Sequence, residues 1–223
     1  MAPNLVRISE HLLSEDREGV RKQSQRIRVA FVSKFLTVNH AHGQLLEGII
    51  SHLPRDVFEV VAIALPNSKS KVSDSIRNGS DLFVATSLSF SEVRNTITNL
   101  RLDVLVYADF MSEPISHFLV HSRLARVQCV FWGNPITTGS PMIDYFISGE
   151  YMERKDSERD YSEQVVLLPG QGIWYDRIQF PHTVLARLGG RNGSREHHFR
   201  PIVPSEYVDF CTLHFRKLCI SLV

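Results

Sequence analysis

From about residue 26 to residue 170 the chain alternates short apolar runs with amphipathic stretches. Residues 27–33 (IRVAFVS) are apolar and rich in β-branched side chains, a run short enough to predict a buried strand. Residues 41–53 then place Leu45, Leu46, Ile49, Ile50 and Leu53 at helical spacing, and Pro54 ends the helix. Residues 58–65 (FEVVAIAL) predict a second buried strand. Residues 72–78 predict a short helix capped by Gly79. A third strand follows at 82–85, then a helix at 89–100 with Ser89 and Ser91 as capping residues. The fourth strand is 103–107 (DVLVY), and 114–124 is a helix with Pro114 in its first turn. Residues 127–132 (VQCVFW) predict a fifth strand, and 144–148 and 165–168 two further short ones.

Buried strands separated by amphipathic helices imply an α/β fold: a Rossmann-like, doubly wound parallel sheet covered on both faces. The residues after the first strand, Ser33 to His40, carry no G-x-G-x-x-G fingerprint. That argues against a nicotinamide or flavin enzyme. Another kind of nucleotide-handling α/β enzyme lacks its phosphate-loop motif here. Outside the alternating region the texture changes. Residues 1–25 are polar, with Leu5, Ile8, Leu12 and Leu13 at roughly helical spacing, and read as a lead-in helix and linker. The lobe is expected over residues 26–180. Residues 181–223 open with a glycine-rich basic stretch, close on an apolar segment, and are expected to form an irregular tail outside the fold.

Composition narrows the partners. Hydrophobic residues make up 43% and charged residues 22%, enough apolar side chain to bury a core. A formal net charge of +1 supplies no strong field to attract nucleic acid or an anionic membrane, so neither is an expected partner. No apolar run approaches a membrane span and no apolar signal core opens the chain. Cys129, Cys211 and Cys219 lack metal-like spacing, and Cys129 sits in an apolar run as a small buried hydrophobe. A reducing compartment, cytoplasmic or nuclear, is therefore expected. The sequons at Asn78 and Asn192 are read as chance.

Open parallel sheets bind ligands beyond the carboxyl ends of their strands. Three loops reach that edge. Residues 34–43 (KFLTVNHAHG) hold Asn39, His40 and His42 and lead into a helix N-terminus, which attracts anions. Residues 108–114 carry Asp109 and Glu113. Residues 133–141 (GNPITTGSP) carry Asn134, Pro135, Thr137, Thr138 and Gly139. Each has a bland reading. Two loop histidines are more often capping or solvated than catalytic, Asp109 serves equally as a helix cap, and Thr137 to Gly139 make a turn. A metal site at His40 and His42 lacks a third ligand nearby. Their shared position at the ligand edge is what sets them apart.

The series IRVAFVS, NHAHGQLLEGII, LDVLVYADF, SRLARVQCVFWGNPITTGSPMIDYFISGEYME and YSEQVVLLPG resembles the catalytic region of O-GlcNAc transferases, glycosyltransferases associated with tetratricopeptide repeats. The resemblance spans roughly residues 26–180 and is clearest over 102–153. It implies one of two Rossmann-like lobes of GT-B architecture, with the second lobe binding the uridine and diphosphate. It implies transfer of N-acetylglucosamine from UDP-GlcNAc to serine or threonine of intracellular proteins, without a metal or other cofactor. His40 matches the family's histidine after the first strand, discussed as a base or an orienting group. The WGNPITTG segment matches the loop near sugar and acceptor. His42 stands where the family usually has a small or apolar residue. On this resemblance the chain is expected to be an incomplete catalytic region, partnered by a protein acceptor or by the second lobe. The alternative is a non-catalytic protein-binding or regulatory module derived from the same lobe.

Overall fold

The structure, a computed structural model, describes residues 26–172 apart from residue 38 and residues 68–70, together with Ile8, Ser9 and Leu12. Seven strands form one sheet: β1 (Ile27–Ser33), β2 (Phe58–Ala64), β3 (Leu82–Ala85), β4 (Leu102–Tyr107), β5 (Ala125–Phe131), β6 (Tyr145–Gly149) and β7 (Gln164–Leu168). Their spatial order is β3-β2-β1-β4-β5-β6-β7, with every pairing parallel. The expected Rossmann-like doubly wound α/β sheet is present.

Alternation along β1 divides the core. Val29 and Phe31 point to one face, where they pack with Leu46 and Ile50 of helix α1 (Ala41–His52) and Ile76 of α2 (Asp74–Asn78). Ala30 and Val32 point to the other, packing with Val93 and Ile97 of α3 (Phe90–Asn99) and Leu119 of α4 (Pro114–Leu119). Both faces are dry, so the central strands have no polar side to expose and read as continuous apolar runs. Cys129 is buried among the first of these groups, as its apolar setting predicts.

An aspartate recurs at the amino edge of the sheet. Asp81, just before β3, accepts the N–H of Val60; Asp103, in β4, accepts that of Arg28; Asp144, just before β6, accepts that of Gln128. In each pair the aspartate lies one step before the first or nearest ladder partners: Leu82 with Val61, Val104 with Val29, Tyr145 with Cys129. The carboxylate satisfies a strand N–H that the shorter neighbour does not reach. Asp81 also meets Arg26 at 2.8 Å and Arg55 at 3.2 Å, and Asp144 meets Arg123 at 2.8 Å. Burial pushes the Asp81 carboxyl up, but the Val60 amide and the two guanidinium groups outweigh it and hold the group below the usual carboxylate range.

Helix boundaries differ from the sequence expectation by more than one residue in two places. The last helix ends at Leu119 rather than residue 124. Ser140 Oγ donates to the Val120 carbonyl, and Gln128 takes the Leu124 N–H and the Ser122 carbonyl, so these backbone groups are satisfied outside a helix. The second helix starts at Asp74 rather than residue 72, because Ser73 N–H bonds to Leu36 in the loop after β1. Gly79 does cap that helix, yet in right-handed backbone. Glycine is needed there for closeness: a Cβ would sit 2.7 Å from the Ser75 carbonyl and 2.8 Å from Ser51 Oγ. Pro54 ends α1 as expected, with Leu53 held in the extended conformation that precedes proline. The expected lead-in helix and the tail at 181–223 lie outside the described residues, apart from an isolated bridge between Ile8 and Arg123 and a contact of Ser9 Oγ with Thr98 Oγ1.

Candidate functional site

The strand order reverses between β1 and β4, and the loops leaving their carboxyl ends flank the crevice where open α/β sheets take ligands. The three loops singled out by sequence all leave this edge, and the structure ties them to one another. Asp109, fully buried, joins the first two: it accepts from Lys34 N at 2.8 Å, Ser33 Oγ at 3.2 Å and Ser116 Oγ at 3.1 Å. Burial raises its pKa to about 6, against those three donors, which pull it down. Asp109 therefore has no surface to offer a ligand; it braces the crevice. The cap of α4 is Glu113, which accepts from Ser116 N at 3.0 Å and lies 3.7 Å from Lys34 Nζ.

The second and third loops meet through Ser112 Oγ and Asn134 Oδ1 at 3.2 Å, while Asn134 Nδ2 is buried without a partner among the described residues. Within the third loop, Thr137 Oγ1 donates to Glu163 at 2.8 Å and Thr138 N donates to it at 2.8 Å, with the Thr138 hydroxyl also bonded to it. Burial pushes the Glu163 carboxyl up, but its bonds from Thr138 and Thr137 outweigh that and hold it low. Sequence reading missed Glu163; the short polar run before the last strand was the available signal. Gly139 adopts φ 63°, the left-handed conformation that suits glycine at this turn, and both it and Pro135 are exposed.

His40 is the N-cap of α1 and half-buried. Its ring stacks on Phe35 at 4.0 Å between centroids, 12° from parallel. Its Nδ1 accepts from His42 N at 3.3 Å and lies 3.1 Å from His42 Nδ1. No described residue meets its Nε2. The bland reading of His40 as a capping residue is thus realised at one ring nitrogen, leaving the other available. Asn39 is exposed beside it. His42 is 9% exposed, and burial, then the neighbouring His40, push its pKa down to about 4. The Gly133 carbonyl offsets part of this without meeting Nε2 in a hydrogen bond, and Nε2 has no partner among the described residues. Gly133 is held to glycine by this ring, since a Cβ would come within 2.6 Å of His42 Cδ2 and Nε2. Gly43 is likewise fixed by the close approach of the first loop, 2.1 Å from a Cβ to the Thr37 carbonyl.

Among the described residues no group of three or more His, Cys, Asp or Glu side chains is arranged to hold a metal ion. Among them, no helix is long and apolar enough to cross a membrane.

Fold and edge together define a Rossmann-like lobe with a braced three-loop crevice, a half-exposed histidine at its switch point and, among the described residues, no phosphate loop. The sequence matches glycosyl transferase family 41 over residues 7–193, and the chain belongs to that family. It is 26% identical over 155 residues to the Arabidopsis thaliana protein named Probable UDP-N-acetylglucosamine–peptide N-acetylglucosaminyltransferase SEC, covering 69% of this chain and 16% of that protein. A solved structure of a Thermobaculum terrenum O-GlcNAc transferase variant superposes with a TM-score of 0.59 at 25% identity, over 65% of this chain and 28% of that one. The chain thus spans about a sixth and just over a quarter of these two relatives.

Proposed function

We infer that the described residues form one lobe of a GT-B enzyme that transfers N-acetylglucosamine from UDP-GlcNAc to serine or threonine hydroxyls of proteins, with His40 at the reacting groups. Membership of family 41 supports the reaction class, and one observation carries the site: His40 stands at the topological switch point with Nδ1 engaged and Nε2 unpartnered among the described residues. Transfer requires the hydroxyl oxygen to be held in line with the anomeric carbon while the bond to the diphosphate breaks and negative charge grows on the leaving oxygen. The braced crevice supplies rigidity for the first task. Asn39, beside His40, and the exposed rim at Pro135 and Gly139 are the proposed acceptor or sugar contacts. Asn134, Thr137 and Thr138 hold that rim in shape, and His42 and Asp109 support it from beneath.

The diphosphate is assigned to a second lobe. The described edge already spends Lys34 N on Asp109, Lys34 Nζ on Glu113 and Thr138 N on Glu163, so carboxylates of the chain itself occupy these donors. Met111, Ile136, Tyr151 and Met152 are exposed on the loops of the same edge and are the proposed contact with that lobe. No metal or cofactor is part of this reading, and an intracellular location, cytoplasmic or nuclear, goes with it. In a two-lobed version His40→Ala should lower turnover by about 10²-fold or more while donor affinity changes little. Unchanged turnover would remove His40 from the reaction.

A further inference from the structure

The third loop is shaped by a side chain that does not belong to it. Its two threonines fold back on the main chain: Gly139 N donates to Thr137 Oγ1 at 3.3 Å, and Ser140 N to Thr138 Oγ1 at 3.1 Å. Each closes a short turn through a hydroxyl two residues earlier. Ser162 N, on the approach to β7, also donates to Thr137 Oγ1, at 3.1 Å. A hydroxyl has two lone pairs and one hydrogen. The two main-chain N–H groups fill the lone pairs of Thr137, so its hydrogen needs an acceptor. Glu163 Oε2 lies 2.8 Å away. Ser162 Oγ, at 2.9 Å, competes for that hydrogen as a neutral and weaker acceptor. Thr138 directs both its N–H and its hydroxyl hydrogen at Glu163 Oε1. The three threonine groups that face Glu163 are therefore all donors. An ionised carboxylate accepts at both oxygens and donates at neither, whereas an amide would set an NH₂ group against one of these donors. Glu163 is 5% exposed, so water has little access to take its place. Burial alone would raise its pKa, and the bonds from Thr138 and Thr137 hold it low all the same. The third loop has no ionisable side chain of its own. The titratable group that faces Glu163 is Tyr161, whose phenol is pushed up to about 12 by burial, then by Glu153, Asp160 and Glu163, and stays neutral throughout the acid range.

We propose that Glu163, as a carboxylate, is a positioning residue of the third loop: it draws both threonine hydroxyls inward, so that the rim meets the acceptor or sugar with main chain, Pro135 and Gly139 and not with Thr137 or Thr138. The meaning for transfer rests on the transferase reading, whereas the geometry does not depend on it. Thr137 and Thr138 stand on the ligand edge by sequence, yet neither keeps a hydroxyl hydrogen to give a ligand. The fit of the rim then depends on a charge carried by the approach to β7, not by the loop itself.

The test is nitrogen-15 NMR of the full 223-residue chain, following the amides of Thr138, Gly139 and Ser140 from neutral pH to about pH 3. In the unaltered chain the three amides should move together, in one step centred below the ordinary carboxylate range. Glu163→Gln keeps the shape without the charge. It should leave the amides of β1 and β4 in place, abolish the step, and speed hydrogen exchange at Gly139 and Ser140 by about 10-fold or more at neutral pH. Glu163→Asp keeps the charge at shorter reach and should bring back a step. A contact indifferent to charge would show no step and no difference between the Gln and unaltered chains. Third-loop amides that coincide in those two chains at neutral pH overturn the proposal. So does the absence of a step in an unaltered chain that stays folded to the acid limit. If acid unfolds the chain first, the neutral-pH comparison decides; if the Gln chain does not fold, the step in the unaltered chain decides. No donor sugar or acceptor peptide enters these readings, so failure of the transferase assignment would be seen separately.

Discussion

At the residue scale, two buried groups of the crevice respond to pH in opposite directions. The native Asp109 carboxyl, raised to about 6 from an ordinary 3.8, keeps a proton that the unfolded chain has already released. Its contribution to stability is therefore full below the unfolded value and is lost as pH rises through about 6. His42, lowered from 6.5 to about 4, behaves conversely: its contribution is present above the unfolded value and is lost as pH falls toward the folded one. The two windows overlap, so the unaltered chain conceals both and a variant is needed. Asp109→Asn keeps the shape and one acceptor oxygen, and the Ser33 and Ser116 hydroxyls can rotate to suit an amide. Relative to the Asn chain, the unaltered chain should lose up to about 3 kcal/mol as pH rises across Asp109's window. Urea midpoints at a series of pH values measure this. Parallel profiles would show that native Asp109 does not hold its proton as described.

At the scale of elements, the strands were legible because burial on both faces leaves an apolar signature that little else produces. Ile27–Ser33 and Leu82–Ala85 agree with expectation at both ends. What sequence reading lost is long-range and polar. The end of α4 is decided by Ser140 and Gln128, side chains distant in sequence from the groups they satisfy. Asp109 and Asn134 stood out by position, but which partners consumed their oxygens depended on the fold. The amino-edge aspartates were not singled out at all, since a lone aspartate before a strand looks like a turn residue. Their function is testable. Asp144→Ala removes the ion pair to Arg123 and strands the N–H of buried Gln128, and should cost about 2–4 kcal/mol. Asp144→Asn keeps an acceptor for that N–H and should cost about 1 kcal/mol. Chemical denaturation should show the midpoint falling in that order with an unchanged slope. Equal losses would place the value of Asp144 in the ion pair rather than in the strand cap.

At the scale of the whole molecule, the question is where the nucleotide goes. A diphosphate needs clustered N–H or cationic donors, as a glycine-rich loop or helix start provides. The described carboxyl edge instead couples three of its donor groups to Asp109, Glu113 and Glu163. A ligand bearing two phosphates would have to displace these carboxylates or be repelled by those that stay charged. The braces that make the crevice rigid therefore make it a poor phosphate site. On this argument, a calorimetric titration of the 223-residue chain with UDP-GlcNAc, and with UDP as control, should give no saturable heat through millimolar ligand. Adding a second lobe from a two-lobed relative should restore binding if the exposed apolar side chains at Met111, Ile136, Tyr151 and Met152 form the contact. Saturable binding of UDP to the chain alone would instead move the nucleotide onto this chain. The division of labour between a rigid acceptor crevice and a separate phosphate-binding lobe would then be wrong.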